Sequence, residues 1–123
     1  MPFSRSDPWQ TLRDIRTNIE LARQFIGTLS AEQIEADRLR FYAVTRCLEI
    51  ISEATRRLPA PIRDRHPHLP WRAIMGVGNI YRHDYDSVDE LLVWETVHDH
   101  LPPLFDAVNR ELADLPEQHP RGD

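Results

Sequence analysis

Seven residues of this chain, Asn79 to Tyr85, bring together an amide, a guanidinium, an imidazole, a carboxylate and a phenol; they read Asn79-Ile80-Tyr81-Arg82-His83-Asp84-Tyr85 and follow Gly76-Val77-Gly78. If residues 75 to 83 are helical, Asn79 and His83 lie four apart and share a face, and so do Gly78 and Arg82. An imidazole, with a reference pKa of about 6.5, suits proton transfer near neutral pH. A guanidinium suits a phosphate oxygen, and the Asn79 amide could orient the ring or donate to the same group. Tyr85 adds a nucleophilic or modifiable hydroxyl. The same side chains would also suit an ordinary helix end in which Asn79 caps, His83 meets a carboxylate and Tyr85 packs. Their types and spacing leave both readings open.

The elements that must position these groups are helical. Asp7 is placed to cap a helix with Pro8 at its first position, where a missing N–H costs nothing. Trp9, Leu12, Ile15, Ile19, Ala22 and Ile26 follow at steps of three and four, and Gly27 ends the run. Ser30-Ala31-Glu32-Gln33 reads as a capping box opening a second helix. That helix is predicted to run on to Leu58, with apolar rows at Ile34, Phe41, Val44, Leu48 and Ile51 and at Ala43, Cys47, Ile50 and Ala54. So wide an apolar surface predicts a central helix packed on two sides. Pro59, Pro61, Pro67 and Pro70 bracket a connection with a short helical turn between Pro61 and Arg65. A third helix is expected from Trp71 toward Tyr81, weakened by Gly76 and Gly78. A last helix opens near Ser87 and carries Leu91, Trp94, Val97, Leu101, Leu104, Val108, Leu112 and Leu115 on one stripe, with a kink or break at Pro102-Pro103. No strand pattern or repeat appears. The expected fold is all-α, an antiparallel bundle of four main helices plus short pieces, as one domain over residues 1–116 with a polar tail at 117–123.

Charge is unevenly placed on a chain whose net charge is −5. From Arg56 to Arg82 there are six Arg and one acid, a net +5, against nine Arg and nineteen acids elsewhere, a net −10. A basic middle in an acidic chain could hold phosphate, although a solvated loop and helix end would show the same pattern. No apolar run approaches the ~18 residues that span a bilayer, the first residues lack the apolar core of a signal peptide, and the single Cys47 favours a reduced compartment. The expected location is the cytoplasm.

The run from Pro70-Trp71-Arg72 through Gly76 and Asn79 to His83-Asp84-Tyr85 resembles the signature of the HepT-like family in the HEPN superfamily. Glu49-Ile50-Ile51-Ser52-Glu53-Ala54 is similar to its central-helix motif, with Ser52 where the family usually has Gly. Trp94-Glu95-Thr96-Val97-His98-Asp99-His100-Leu101-Pro102 resembles the start of its last helix. The resemblance covers nearly the whole chain. It implies an all-α bundle that forms a homodimer and acts as the toxin of a toxin–antitoxin pair, partnered by a nucleotidyltransferase antitoxin. Active members are metal-independent endoribonucleases with no cofactor, acting on an RNA substrate. Their motif is Arg-Asn, three variable residues, then His-x-Tyr. Asn79, His83 and Tyr85 match its Asn, His and Tyr, and Tyr85 becomes the candidate site of AMPylation by the antitoxin.

One position departs from the motif: its arginine falls on Gly78. Losing one donor that stabilises charge on the phosphoryl oxygens costs about 10²–10³ in rate. Arg82, one turn further on and displaced by roughly 6 Å along the axis, is expected to substitute for it. The catalytic set is thus His83, Arg82 and Asn79. The rival reading is a catalytically inactive module that pairs with a nucleotidyltransferase or binds nucleotide. Other candidates are weaker. His66 and His68, near Asp64 in a Pro-rich loop, lack a further ligand at fixed spacing, and His98 and His100 point in different directions on a helix. Glu53 is expected to serve as a partner for Arg or backbone. Trp9, Trp71 and Trp94 are expected to anchor the core or an interface.

Overall fold

The structure is a computed structural model that describes residues 7–83 and 90–114, with side chains described through Val77 and again from Glu90. Helix α1 spans Pro8–Ile26; the Asp7 carboxylate accepts from the Trp9 N–H at 3.0 Å, and Pro8 occupies the first turn. Gly27 ends it at φ +52°, a backbone angle that favours glycine, and its N–H returns to the Arg23 carbonyl. Leu12, Ile15, Ile19, Ala22 and Ile26 are all buried along one stripe.

The capping box at Ser30 forms in both directions, with the Ser30 hydroxyl accepting from Gln33 and the Gln33 side chain accepting from the Ser30 N–H. The helix it opens, α2 (Ala31–Ala36), then stops. The expectation of one helix from Ser30 to Leu58 is therefore corrected. Asp37 ends α2 and caps α3 (Arg38–Arg56), its carboxylate accepting from the Arg40 N–H at 3.1 Å. A carboxylate that caps one residue group cannot also leave its backbone in the helix, so the chain turns there without Gly or Pro. Helix α3 is central, packed between α1 and α5, with Phe41, Val44, Cys47, Leu48, Ile51 and Ala54 buried.

Short α4 (Ala60–Asp64) occupies the proline-rich connection, and α5 runs from Trp71 to His83. The last helix is described from Glu90; the start predicted at Ser87 lies outside the described residues, as does the tail at 117–123. It comprises α6 (Glu90–Glu95), a π turn at Thr96–His100 and α7 (Leu101–Asp114). The break expected at Pro102-Pro103 is instead this π turn, in which the Leu101 N–H reaches back five residues to the Thr96 carbonyl. Two consecutive prolines remove the donors that the carbonyls four residues earlier would use, and their rings crowd those carbonyls. Widening the preceding turn accommodates both while the helix continues.

Helices α1, α3, α5 and the composite α6–α7 make an all-α bundle, with α2 and α4 as short connectors and no strand among the described residues. Helix α7 packs on α1, and α2 packs on α6. The tryptophans are half-buried anchors against the core. Two of them also close connections: Trp71 donates to the His66 carbonyl at 2.9 Å, and Trp94 to the Leu29 carbonyl at 2.8 Å. Among the described residues no helix is long and apolar enough to cross a membrane.

Candidate active site

Helix α5 is the element that carries the chemistry-bearing run, and it starts where the sequence says it should. Pro70 fixes the backbone ahead of it, the Ile74 N–H bonds the Pro70 carbonyl, and Trp71 ties the first turn to the preceding loop through His66. Ile74 and Val77 are buried, which pins one stripe of α5 into the core. The helix continues through His83, two residues beyond the expected end. The four-residue spacings from Asn79 to His83 and from Gly78 to Arg82 are therefore helical spacings, one turn each. The side chains of Asn79, Arg82 and His83 lie outside the described residues, and so does all of Tyr85.

What holds this helix in place comes from α3. The buried Ser52 hydroxyl donates to the Met75 carbonyl at 2.6 Å, and the Arg56 Nη2 donates to the same oxygen at 2.7 Å. Ser52 and Arg56 are four apart on α3 and share a face, so two donors from one helix meet a single carbonyl of the next. The resemblance marks Ser52 as a departure from glycine; a hydroxyl there supplies a bond that glycine has no atom to make. Glu53, expected to partner an arginine, faces Arg56 at 3.9 Å and is well exposed.

A second polar cluster joins the α4–α5 connection to α7. Arg65 makes two bonds to the Glu111 carboxylate, Nε at 3.0 Å and Nη2 at 2.6 Å, and His66 Nε2 lies 2.7 Å from the same group. Glu111 is 4% exposed. Hydrogen bonding from Arg65 holds its carboxyl below the ordinary value, against the opposing effect of burial. Glu111 is a residue that sequence reasoning did not single out. Its signal was present: it sits three residues after Val108 and seven after Leu104, on the apolar stripe of the last helix, where an acid needs a buried partner. With His66 committed to Glu111, the superficial metal pattern of His66, His68 and Asp64 dissolves. His66 and His68 instead border a cavity of about 140 Å³ with Pro103, Asp106, Ala107 and Arg110. No group of three or more His, Cys, Asp or Glu among the described residues could hold a metal ion. His98 stacks on Trp94 with ring centroids 4.0 Å apart, and its Nδ1 lies 2.8 Å from the Trp94 carbonyl. Burial pushes the Cys47 thiol up, which makes it a poor nucleophile.

The family model described as "Ribonuclease HepT-like" matches residues 15–111, a span that includes the second half of α1, all of α3 and all of α5. The chain belongs to the ribonuclease HepT-like family. The "Putative RNase MJ0125" of Methanocaldococcus jannaschii is similar to it at 33% identity over 107 residues, covering 87% of this chain and 92% of its own. The "Probable ribonuclease HepT" of Thermococcus cleftensis is 36% identical over 93 residues, 76% of this chain and 84% of its own. The "Putative RNase TTE0752" of Caldanaerobacter subterraneus subsp. tengcongensis is 32% identical over 97 residues, 79% and 87% of the two chains. No solved structure gives a significant match. In this HepT-like chain the helical bundle is the fold expected of the family, and α5 carries the residues that match the family motif.

Proposed function

We propose that this chain is a metal-independent endoribonuclease whose site is built on the C-terminal half of α5. The observation that carries the reading is the continuity of α5 through His83 in a chain belonging to a ribonuclease family. It sets the residues matching the motif Asn and His, Asn79 and His83, one turn apart on one helix face. In the proposed reaction a ribose 2′-hydroxyl attacks the adjacent phosphorus. A new bond forms between the 2′-oxygen and phosphorus, and the bond from phosphorus to the 5′-oxygen breaks. His83 takes the proton from the 2′-hydroxyl or returns one to the leaving 5′-oxygen. Asn79 orients the ring, and Arg82 stabilises charge on the phosphoryl oxygens in place of the arginine that the motif has at Gly78. A homodimer would bring two copies of this sparse site together. Regulation is assigned to Tyr85: a nucleotidyltransferase antitoxin transfers AMP from ATP to its hydroxyl, forming a bond from the phenol oxygen to the α-phosphorus and releasing pyrophosphate and a proton, and so silences the toxin.

Purified protein incubated with RNA in EDTA tests the activity. Wild type cleaves, His83→Ala does not, and Arg82→Ala loses about 10²–10³ in rate. Undiminished cleavage by Arg82→Ala rules out its assigned role. Mass analysis of the chain co-expressed with a neighbouring nucleotidyltransferase tests the regulation; adenylate on Tyr85 is the expected result, and unmodified Tyr85 contradicts it. Gly78 favours a second reading, a catalytically silent binding module, for which wild type and His83→Ala would be equally inactive.

A further inference from the structure

Arg56 reaches from α3 to the backbone of α5. Its Nη2 donates to a neutral acceptor, the Met75 carbonyl, at 2.7 Å. That bond engages one of five guanidinium donors with an acceptor that carries no charge. The carboxylate facing it, Glu53, stands 3.9 Å away and is 59% exposed, so water screens most of that attraction. The Arg56 side chain itself is 33% exposed. A long flexible cation loses considerable entropy when it is fixed, yet this one is fixed on a carbonyl that the buried Ser52 hydroxyl already occupies at 2.6 Å. The result is a preorganised guanidinium, held against α5 and open to solvent on its other side.

Its place along α5 gives that charge a purpose. Met75 comes four residues before Asn79 and eight before His83, and its carbonyl points along the helix toward Asn79. Along the axis of α5, the Met75 carbonyl that holds the guanidinium lies about one turn before the Asn79 backbone and roughly two turns, on the order of 12 Å, before that of His83. Arg57 and Arg72 follow in the same net-positive segment of the sequence. A single-stranded RNA whose scissile linkage lies at His83 would pass its neighbouring phosphates near Arg56.

We infer that Arg56, braced by Ser52 and the Met75 carbonyl, is an RNA-binding residue that contacts a backbone phosphate next to the scissile one. The inference rests on the endoribonuclease reading for the position of the strand, and it deepens that reading by naming a substrate subsite on α3. Arg56 is a binding residue, outside the reacting atoms. Its loss raises KM about tenfold and leaves kcat within about threefold, the reverse of the pattern for His83.

The test measures binding of a single-stranded 2′-O-methyl oligoribonucleotide, which cannot be cut because its 2′-oxygen carries no proton. Affinity is followed by fluorescence anisotropy between about 50 and 200 mM salt. Removing one phosphate contact lowers the slope of log K against log salt by about 0.7 for a single strand. Arg56→Gln keeps an N–H donor but loses the charge, and it is expected to show that drop. Arg56→Lys keeps a charge that phosphate accepts and is expected to retain the wild-type slope. An unchanged slope in Arg56→Gln overturns the inference, as does an equal loss in Gln and Lys variants, which would mean that the guanidinium acts only through the Met75 carbonyl. Cleavage of ordinary RNA is assayed beside it. Binding that depends on Arg56 without any cleavage contradicts the nuclease reading and keeps the subsite. Cleavage with an Arg56-independent slope does the opposite, and wild type that binds no RNA overturns both.

Discussion

Two arginines, nine residues apart, reach from α3 and the connection after it to neighbouring helices, and they end in opposite situations. Arg65 meets a buried carboxylate. Its two bonds to Glu111 and the His66 contact to the same group satisfy the acid from several sides. The charge of Arg65 is matched inside the molecule, and the cluster fastens the α4–α5 connection to α7. Arg56 meets a backbone carbonyl, which orients the guanidinium, and its nearest carboxylate is the exposed Glu53 at 3.9 Å, an attraction that water screens. The first cluster holds the fold, and the second holds a cation in readiness. The lesson is that the partner of an arginine, more than its exposure, decides whether its charge remains available: the Arg65 side chain is 56% exposed against 33% for Arg56, yet it is Arg65 whose charge is already matched.

That contrast can be broken from either side. The largest effect on stability is expected for Glu111→Gln, which keeps the size of the side chain and gives up its charge. Loss of two charge-assisted bonds should lower the unfolding free energy by about 2–3 kcal/mol, read from chemical denaturation, while RNA affinity of the folded protein stays within about twofold. A matching loss of stability in Arg56→Gln would erase the distinction, because that variant is expected to change stability by less than about 1 kcal/mol.

The acid limb of the stability curve comes next. Because Arg65 holds the folded-state pKa of Glu111 below its unfolded value of 4.5, the carboxylate binds fewer protons in the folded protein than in the unfolded one. Its contribution is complete above that unfolded value and is lost as pH falls through the folded one. Thermal melts from neutral pH down to about pH 3 should show wild type losing stability faster than Glu111→Gln as the acid range is entered. Parallel curves would remove Glu111 as the source. A modest effect is expected for Ser52→Ala, which deletes one bond to the Met75 carbonyl and should cost about 1 kcal/mol. It should leave the salt slope of RNA binding intact, since Arg56 keeps its charge.

Much of this was legible in the residue pattern, and the failures have identifiable causes. The caps at Asp7 and Ser30, the stop at Gly27 and the start at Trp71 are local signals, and each produced the expected local geometry. The break at Asp37 escaped because Ile34 and Phe41 are seven apart, a spacing equally consistent with one helix or two. Only the Asp37 bond to the Arg40 N–H decides between them. At Pro102-Pro103 the sequence marks a disturbance but not its form, since a kink, a break and a π turn all relieve the same clash. Glu111 drew no notice in the sequence, and its partners Arg65 and His66 are more than forty residues away, beyond the reach of any spacing rule. The same is true of the site. The helix bearing Asn79, Arg82 and His83 was readable from its run of residues, whereas the convergence of Ser52 and Arg56 on Met75 depends on how α3 lies against α5. The roles of Asn79, His83 and Tyr85 are chemistry read from the family motif, and that of Arg82 from its place one turn after Gly78.

The most direct test of the central claim is RNA cleavage by the purified chain in EDTA, wild type beside His83→Ala. Cleavage by wild type that is lost in His83→Ala, with both proteins folded by circular dichroism, is the predicted result. Equal cleavage by the two proteins, or none by either, would contradict it.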